Sequence, residues 1–255
     1  MSKIVCFIIS LINLRAANSN VELSNYKTMK ITYLGHACFH IEINGTHLIV
    51  DPFISGNELA KNVKINSLKA DYILITHGHQ DHVLDVEAIA NNNPKATLVS
   101  NYEIIEWFGQ KGLKGHPLNH GGKVSFDFGT VKYVNAIHSS VLPDGSYGGN
   151  PGGFVITAGD KCIYIAGDTA LTMDMKLIPD MGHRIDLAIL PIGDNFTMGY
   201  EDAALAADFV KCDKVIGCHY DTFPPIEIDK ERAQTYFSSK GKILLLPNIG
   251  GTITI

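Results

Sequence analysis

Short apolar runs rich in β-branched residues recur along this chain, and several of them stop directly before a histidine or an aspartate. The run 72–75 opens into Thr76-His77-Gly78-His79-Gln80-Asp81-His82, 131–136 leads to His138, 162–165 to Gly167-Asp168-Thr169, and 215–218 to His219. Strands of one sheet lie side by side, so their ends meet in space however far apart they are in sequence. That recurrence confines the chain to folds in which sheet edges gather polar side chains in a cleft.

The remaining pattern agrees. Further apolar runs fall at 31–34, 39–43, 47–50, 96–99, 154–156, 187–190, 243–246 and 252–255, each of strand length. Asn44-Gly45 reads as a hairpin turn and residues 158–161 as another. Helices are expected at 201–210, where Ala204, Leu205 and Phe209 share a face, at 101–111, and from near His82 to before Pro94. Hairpins first and helices after, in both halves, predict an α+β chain with two packed sheets and helices outside. With 255 residues, 45% of them hydrophobic, there is enough chain for a large core. The formal charge of −5 supplies no basic field for nucleic acid.

In an extended segment side chains alternate, so His77 and His79 point the same way toward one cation. Asp81 and His82 lie where the chain turns into a helix and face a second. Imidazole and carboxylate suit zinc, and iron or manganese accept them too. His138, Asp168 and His219, each after a strand, are the further ligand candidates.

The segment His77-Gly78-His79-Gln80-Asp81-His82 meets the HxHxDH signature, and Leu34-Gly35-His36-Ala37, Val50-Asp51-Pro52, Gly167-Asp168-Thr169 and Cys218-His219-Tyr220 accompany it. In these the chain from Met29 to Ile255 resembles the metallo-β-lactamase superfamily, in particular bacterial metal-dependent hydrolases related to ascorbate-phosphate lactonases. The resemblance implies an αββα sandwich with mixed sheets and two divalent ions, zinc before manganese or iron. It further implies that His77, His79 and His138 hold one ion, Asp81, His82 and His219 the other, and that Asp168 bridges them. Ions so held lie ~3.5–4 Å apart and make a bridging hydroxide available near neutral pH. The implied reaction is cleavage of a small ester, lactone, amide or phosphodiester. Asp81 or Asp168 orients the nucleophile or carries a proton. His36, in a glycine-flanked turn after the first strand, reads either as a donor or substrate contact at the cleft or as a satisfied structural histidine. A di-iron oxygen-dependent enzyme and a non-catalytic metal-binding domain are the other readings.

Asp51 either orients a ligating imidazole or makes a turn. His120 and Asp194 are weaker loop candidates, His40 and His47 read as surface or packing residues of the first hairpin, and His116 and His183 have no supporting pattern. Cys6, Cys38, Cys162, Cys212 and Cys218 are scattered, without a CxxC pair; Cys218 should be buried and point away from His219. The glycine-rich stretch 139–153 forms a rim over the cleft, with Tyr147 able to lie on a small-molecule substrate. Before Met29, the apolar stretch 4–14 after Lys3 is too short for a stable membrane span. Residues 1–17 are then either an export signal, which places the protein in the periplasm or outside the cell, or part of an extension, 1–28, of a cytoplasmic protein.

Overall fold

The computed structural model of the protein describes residues 28–182 and 184–255; the expectations for residues 1–17, for Cys6 and for His183 lie outside the described residues. Strands β1 (Met29–Gly35), β2 (Cys38–Ile43) and β3 (Thr46–Val50) form an antiparallel meander. Asn44 and Gly45, with φ of 51° and 85°, close the turn between β2 and β3. β4 (Tyr72–Leu74), β5 (Thr97–Asn101) and β6 (Gly115–Leu118) then add in parallel, with helices α1 (Gln80–Val83), α2 (Val86–Asn92) and α3 (Tyr102–Gly109) in the crossovers. The second half repeats the plan. β7 (Lys123–Ser125), β8 (Thr130–Asn135), β9 (Gly152–Ala158) and β10 (Lys161–Ile165) are antiparallel, and β11 (Leu187–Pro191), β12 (Lys214–Cys218) and β13 (Ile243–Leu245) are parallel. Helices α4 (Leu177–Asp180), α5 (Tyr200–Phe209) and α6 (Lys230–Ser239) lie along this half, and β14 (Thr252–Thr254) crosses back to pair with β1.

The result is two seven-stranded sheets, β14-β1-β2-β3-β4-β5-β6 and β13-β12-β11-β10-β9-β8-β7. Phe39, Ile41 and Leu48 of the first meet Tyr133, Phe154 and Ile189 of the second in one buried cluster. Each sheet buries its other face under helices, Ile73 with Val86, Ile89 and Phe108, and Tyr164 with Ala203, Ala207 and Phe237. Each buried Val, Leu, Ile or Phe side chain among these contributes about 1.5–3 kcal/mol, which holds the four layers of the αββα sandwich in register.

Some elements depart from the sequence pattern. The helix expected from near His82 is interrupted at Leu84–Asp85, because the Asp85 carboxylate accepts from Ile54 N at 2.6 Å and from Ser55 N and Oγ at 2.9 and 2.5 Å. It ties down the segment after β3 instead of continuing a helical turn. α6 has no strong periodic signal, since Ala233 and Phe237 alone are buried in it; its readable cue is Asp229, whose side chain accepts from Arg232 N. β6 and β7 are short outer strands, one carrying Pro117, a residue suited to an edge. No helix among the described residues is long and apolar enough to cross a membrane.

Candidate metal centre

The candidate ligands stand where strands end, and the backbone there is turned sharply. His36 follows β1 with φ 54°, Asp51 follows β3 with φ 43°, His219 follows β12 with φ 56°, and Gly167, with φ 65°, precedes Asp168 after β10. A left-handed residue other than glycine costs about 1–3 kcal/mol and persists where its surroundings over-determine it. Here they do: His219 N donates to His36 O at 2.9 Å and Asp51 N to Leu74 O at 3.0 Å. Gly193 leaves room for this turn, since a Cβ there would lie 2.1 Å from His219 O.

Asp51 organises the centre from beneath. Its Oδ1 accepts from Thr76 N at 2.8 Å, and its Oδ2 accepts from Thr76 Oγ1 at 2.6 Å and from His82 Nδ1 at 2.9 Å. Because the Thr76 hydroxyl proton goes to Asp51, Thr76 Oγ1 accepts from His77 Nδ1 at 3.1 Å. Both rings thereby carry a proton on Nδ1 and turn Nε2 into the cleft. Of the two readings of Asp51, the geometry is that of an orienting partner. Thr76, at the other end of this relay, had no signal in the sequence beyond its place before His77.

The structure brings His77, His79, Asp81, His82, His138, Asp168 and His219 together, and His36 with them. Donor atoms lie within 4.8 Å of one another in three groups: His77, His79 and His138; His77, His82 and Asp168; and His36, Asp81, His82 and His219. Asp168 Oδ2 is the common point, 3.0 Å from His219 Nε2, 3.3 Å from His82 Nε2, 3.6 Å from His138 Nε2 and 4.0 Å from His77 Nε2. Yet His82 Nε2, both ring nitrogens of His219 and Asp168 Oδ1 are buried without a hydrogen-bond partner among the described residues. Buried polar atoms left unpaired cost free energy. The convergence of His82 Nε2 and His219 Nε2 on the Asp168 carboxylate is accounted for by a cation, so the residues fit a metal.

The electrostatics point the same way. Burial lowers the pKa of His77, His79 and His138, leaving neutral rings with free lone pairs. Burial would lower His82 and His219 as well, but Asp168 reverses this and raises both, His219 to about 9. Their inner nitrogens thus attract positive charge, and metal binding at such imidazoles releases protons. Asp168 and Asp81 are held below the usual carboxylate range: burial opposes this, and the surrounding histidines overcome it. His36, lowered to about 4 by burial, is neutral. It bonds Thr222 Oγ1 through Nδ1 at 2.9 Å and Asp81 Oδ2 through Nε2 at 3.1 Å.

The 139–153 stretch is fastened to the ligand turn. Gly78 N donates to Ser140 Oγ at 3.0 Å, Ser140 Oγ to Gly148 O at 2.9 Å, and Asn101 Nδ2 to Gly148 O at 2.7 Å, while Val141 bridges Tyr147. Other candidates stand apart. His120 stacks on Tyr133 and bonds Pro151 O, Asp194 turns with φ 59° in the loop before α5, and His116 lies on β6. Cys38, Cys162, Cys212 and Cys218 are buried free thiols.

Residues 30–219 match the model of the beta-lactamase superfamily domain. A "UPF0173 metal-dependent hydrolase" of Christiangramia forsetii is 61% identical over 228 residues, 89% of this chain and 100% of that protein. The Bacillus subtilis "UPF0173 metal-dependent hydrolase YtkL" is 47% identical over 233 residues, again 89% and 100%. The solved structure of Igni18, a metallo hydrolase from Ignicoccus hospitalis, superposes with a TM-score of 0.81 at 34% identity, over 89% of this chain and 98% of that one. By ligand cleft, sandwich and sequence alike, the chain belongs to the UPF0173 metal-dependent hydrolase family of the beta-lactamase superfamily.

Proposed function

We propose that this metal-dependent hydrolase works with a pair of divalent cations, zinc first among them. His77, His79 and His138 hold one, Asp81, His82 and His219 the other, and Asp168 is shared, all within a unit spanning residues 29–255. The observation that carries this reading is the position of Asp168 Oδ2, within 4.0 Å of four imidazole nitrogens that belong to both groups. When bound, such a pair polarises the substrate oxygen and makes a water acidic enough to supply a nucleophile near neutral pH.

The chain's own residues then divide the work. Asp51 and Thr76 fix the tautomers of His77 and His82. His36 holds Asp81, whose side chain is 28% exposed while His77, His82, Asp168 and His219 are sealed to 3% or less. Asp81 is therefore the carboxylate placed to meet an entering water and orient it. Access is from the side of His79, Asp81 and His138. The exposed Ile137, Val141 and Tyr147 stand on or beside the fastened rim there, which suits a small ester, lactone, amide or phosphodiester.

The test is metal analysis of the purified protein beside hydrolysis of a lactone, ester, amide and phosphodiester panel, before and after Asp168→Asn. Two zinc equivalents with turnover of at least one class, both lost in the variant, are expected. An iron protein that consumes oxygen, or a fully loaded protein inert toward the panel, would overturn the reading.

A further inference from the structure

Outside the cleft a further pair of imidazoles converges. His40 on β2 and His47 on β3 project from the first sheet on the side away from Phe39, Ile41 and Leu48, which fill the core between the sheets. Alternation along β2 puts Glu42 on the same side as His40, and the register sets Glu42 directly opposite His47. A carboxylate and two imidazoles therefore share one patch.

The two imidazoles stand at the spacing of ligands to a common ion. His40 Nε2 lies 3.1 Å from His47 Nδ1, with ring centroids 5.2 Å apart. Two imidazoles bound to one zinc at about 2.0–2.1 Å and a near-tetrahedral angle have nitrogens about 3.3 Å apart. A small opening of the pair admits the ion. Burial, and the neighbouring His47, lower the His40 pKa, so the His40 ring is neutral and able to bind at ordinary pH. Glu42 is held by Lys30 Nζ at 3.3 Å, an exposed ion pair of little worth that yields readily. The backbone is braced, since His47 N donates to Asp71 Oδ2 at 2.8 Å, and Thr32 stands opposite His40 on β1.

We propose that His40 and His47 form a peripheral two-imidazole site for a divalent transition cation of the zinc class, separate from the hydrolytic centre, and that Glu42 joins it by turning from Lys30 to the bound ion. The ring proton that lies between Nε2 and Nδ1 moves to the other nitrogen of its own ring when the ion enters. Binding thus changes the tautomer of the donor ring.

The experiment uses the full chain with its cleft already loaded. Equilibrium dialysis against micromolar Zn²⁺, followed by metal analysis, compares wild type with His40→Ala, His47→Ala and Glu42→Gln. Wild type should retain one more equivalent than either histidine variant, and Glu42→Gln should bind that equivalent more weakly. Hydrolytic activity should be the same in all four. In wild type the ring-nitrogen resonances of His40 Nε2 and His47 Nδ1 should shift on zinc addition, a readout that needs no variant to fold. Equal zinc content throughout, or unshifted ring resonances at saturating zinc, would reduce the pair to a hydrogen bond and overturn the proposal.

Discussion

Two pairs of histidines in this protein look alike and are embedded differently. In the cleft, His77 Nε2 and His79 Nδ1 lie 3.0 Å apart; on the outer face of the first sheet, His40 Nε2 and His47 Nδ1 lie 3.1 Å apart. The first pair stands beside a buried carboxylate, Asp168, and the Nδ1 of His77 is held through Thr76 by Asp51. Beside the second are an exposed Lys30–Glu42 pair and solvent. Donor spacing alone therefore makes a binding geometry, while the buried carboxylates make a site whose charge, tautomers and affinity are set in advance. Chemistry belongs to the first setting, and loose exchange of ions to the second.

The largest effect should come from Asp168→Asn. Removing the shared carboxylate is expected to cost more than the ~10–100-fold typical of losing an outer partner, with metal content falling in parallel. Retained metal and activity would erase the distinction between the two settings. Chelation should abolish hydrolysis reversibly and lower the melting temperature. Readdition of zinc at a hundredfold above its dissociation constant restores about 2.7 kcal/mol, and a thermal shift assay reads it. Loss of the outer pair in His40→Ala or His47→Ala should leave activity unmoved.

Asp51→Ala leaves every direct ligand in place and frees the tautomers of His77 and His82, so a loss of about 10–100-fold in metal affinity or activity is expected. Metal titration checks it, and an unchanged affinity would show that the buried carboxylate merely shapes a turn.

The smallest effect concerns pH. Burial holds the His40 pKa below its ordinary 6.5, so the unfolded chain binds this proton more readily than the folded one. The associated stability is complete above about pH 6.5 and is lost as pH falls toward the folded value. Melting temperatures in metal-free buffer at pH 7.5 and pH 5 should therefore converge slightly in His40→Asn relative to wild type. His40 is partly exposed, which keeps the change small; a steeper pH dependence in the variant would contradict it.

Much of this molecule was legible in its amino-acid order. The short apolar, β-branched runs predicted strands, the hairpin-then-helix order predicted two sheets, and a histidine or aspartate after each of four strands marked the cleft. These are local properties, carried by side-chain spacing along one stretch of backbone. The interrupted helix at Asp85 was not legible, because its carboxylate serves Ile54 and Ser55 across the fold. Nor were the strained turns at His36, Asp51 and His219, since left-handed backbone at a non-glycine residue is imposed by neighbours that the local sequence does not name.

Tertiary structure alone decided that Asp51 locks His82 directly and His77 through Thr76, that Asp168 lies at the meeting point of four ring nitrogens, and that His40 faces His47. Hydrogen bonds and charges act over a few ångströms of space, whereas the residues that make them are up to more than a hundred positions apart in the chain. Sequence determined which donors this protein owns and which strand ends carry them; packing of the two sheets decided which donors meet, at what distance, and in what protonation state.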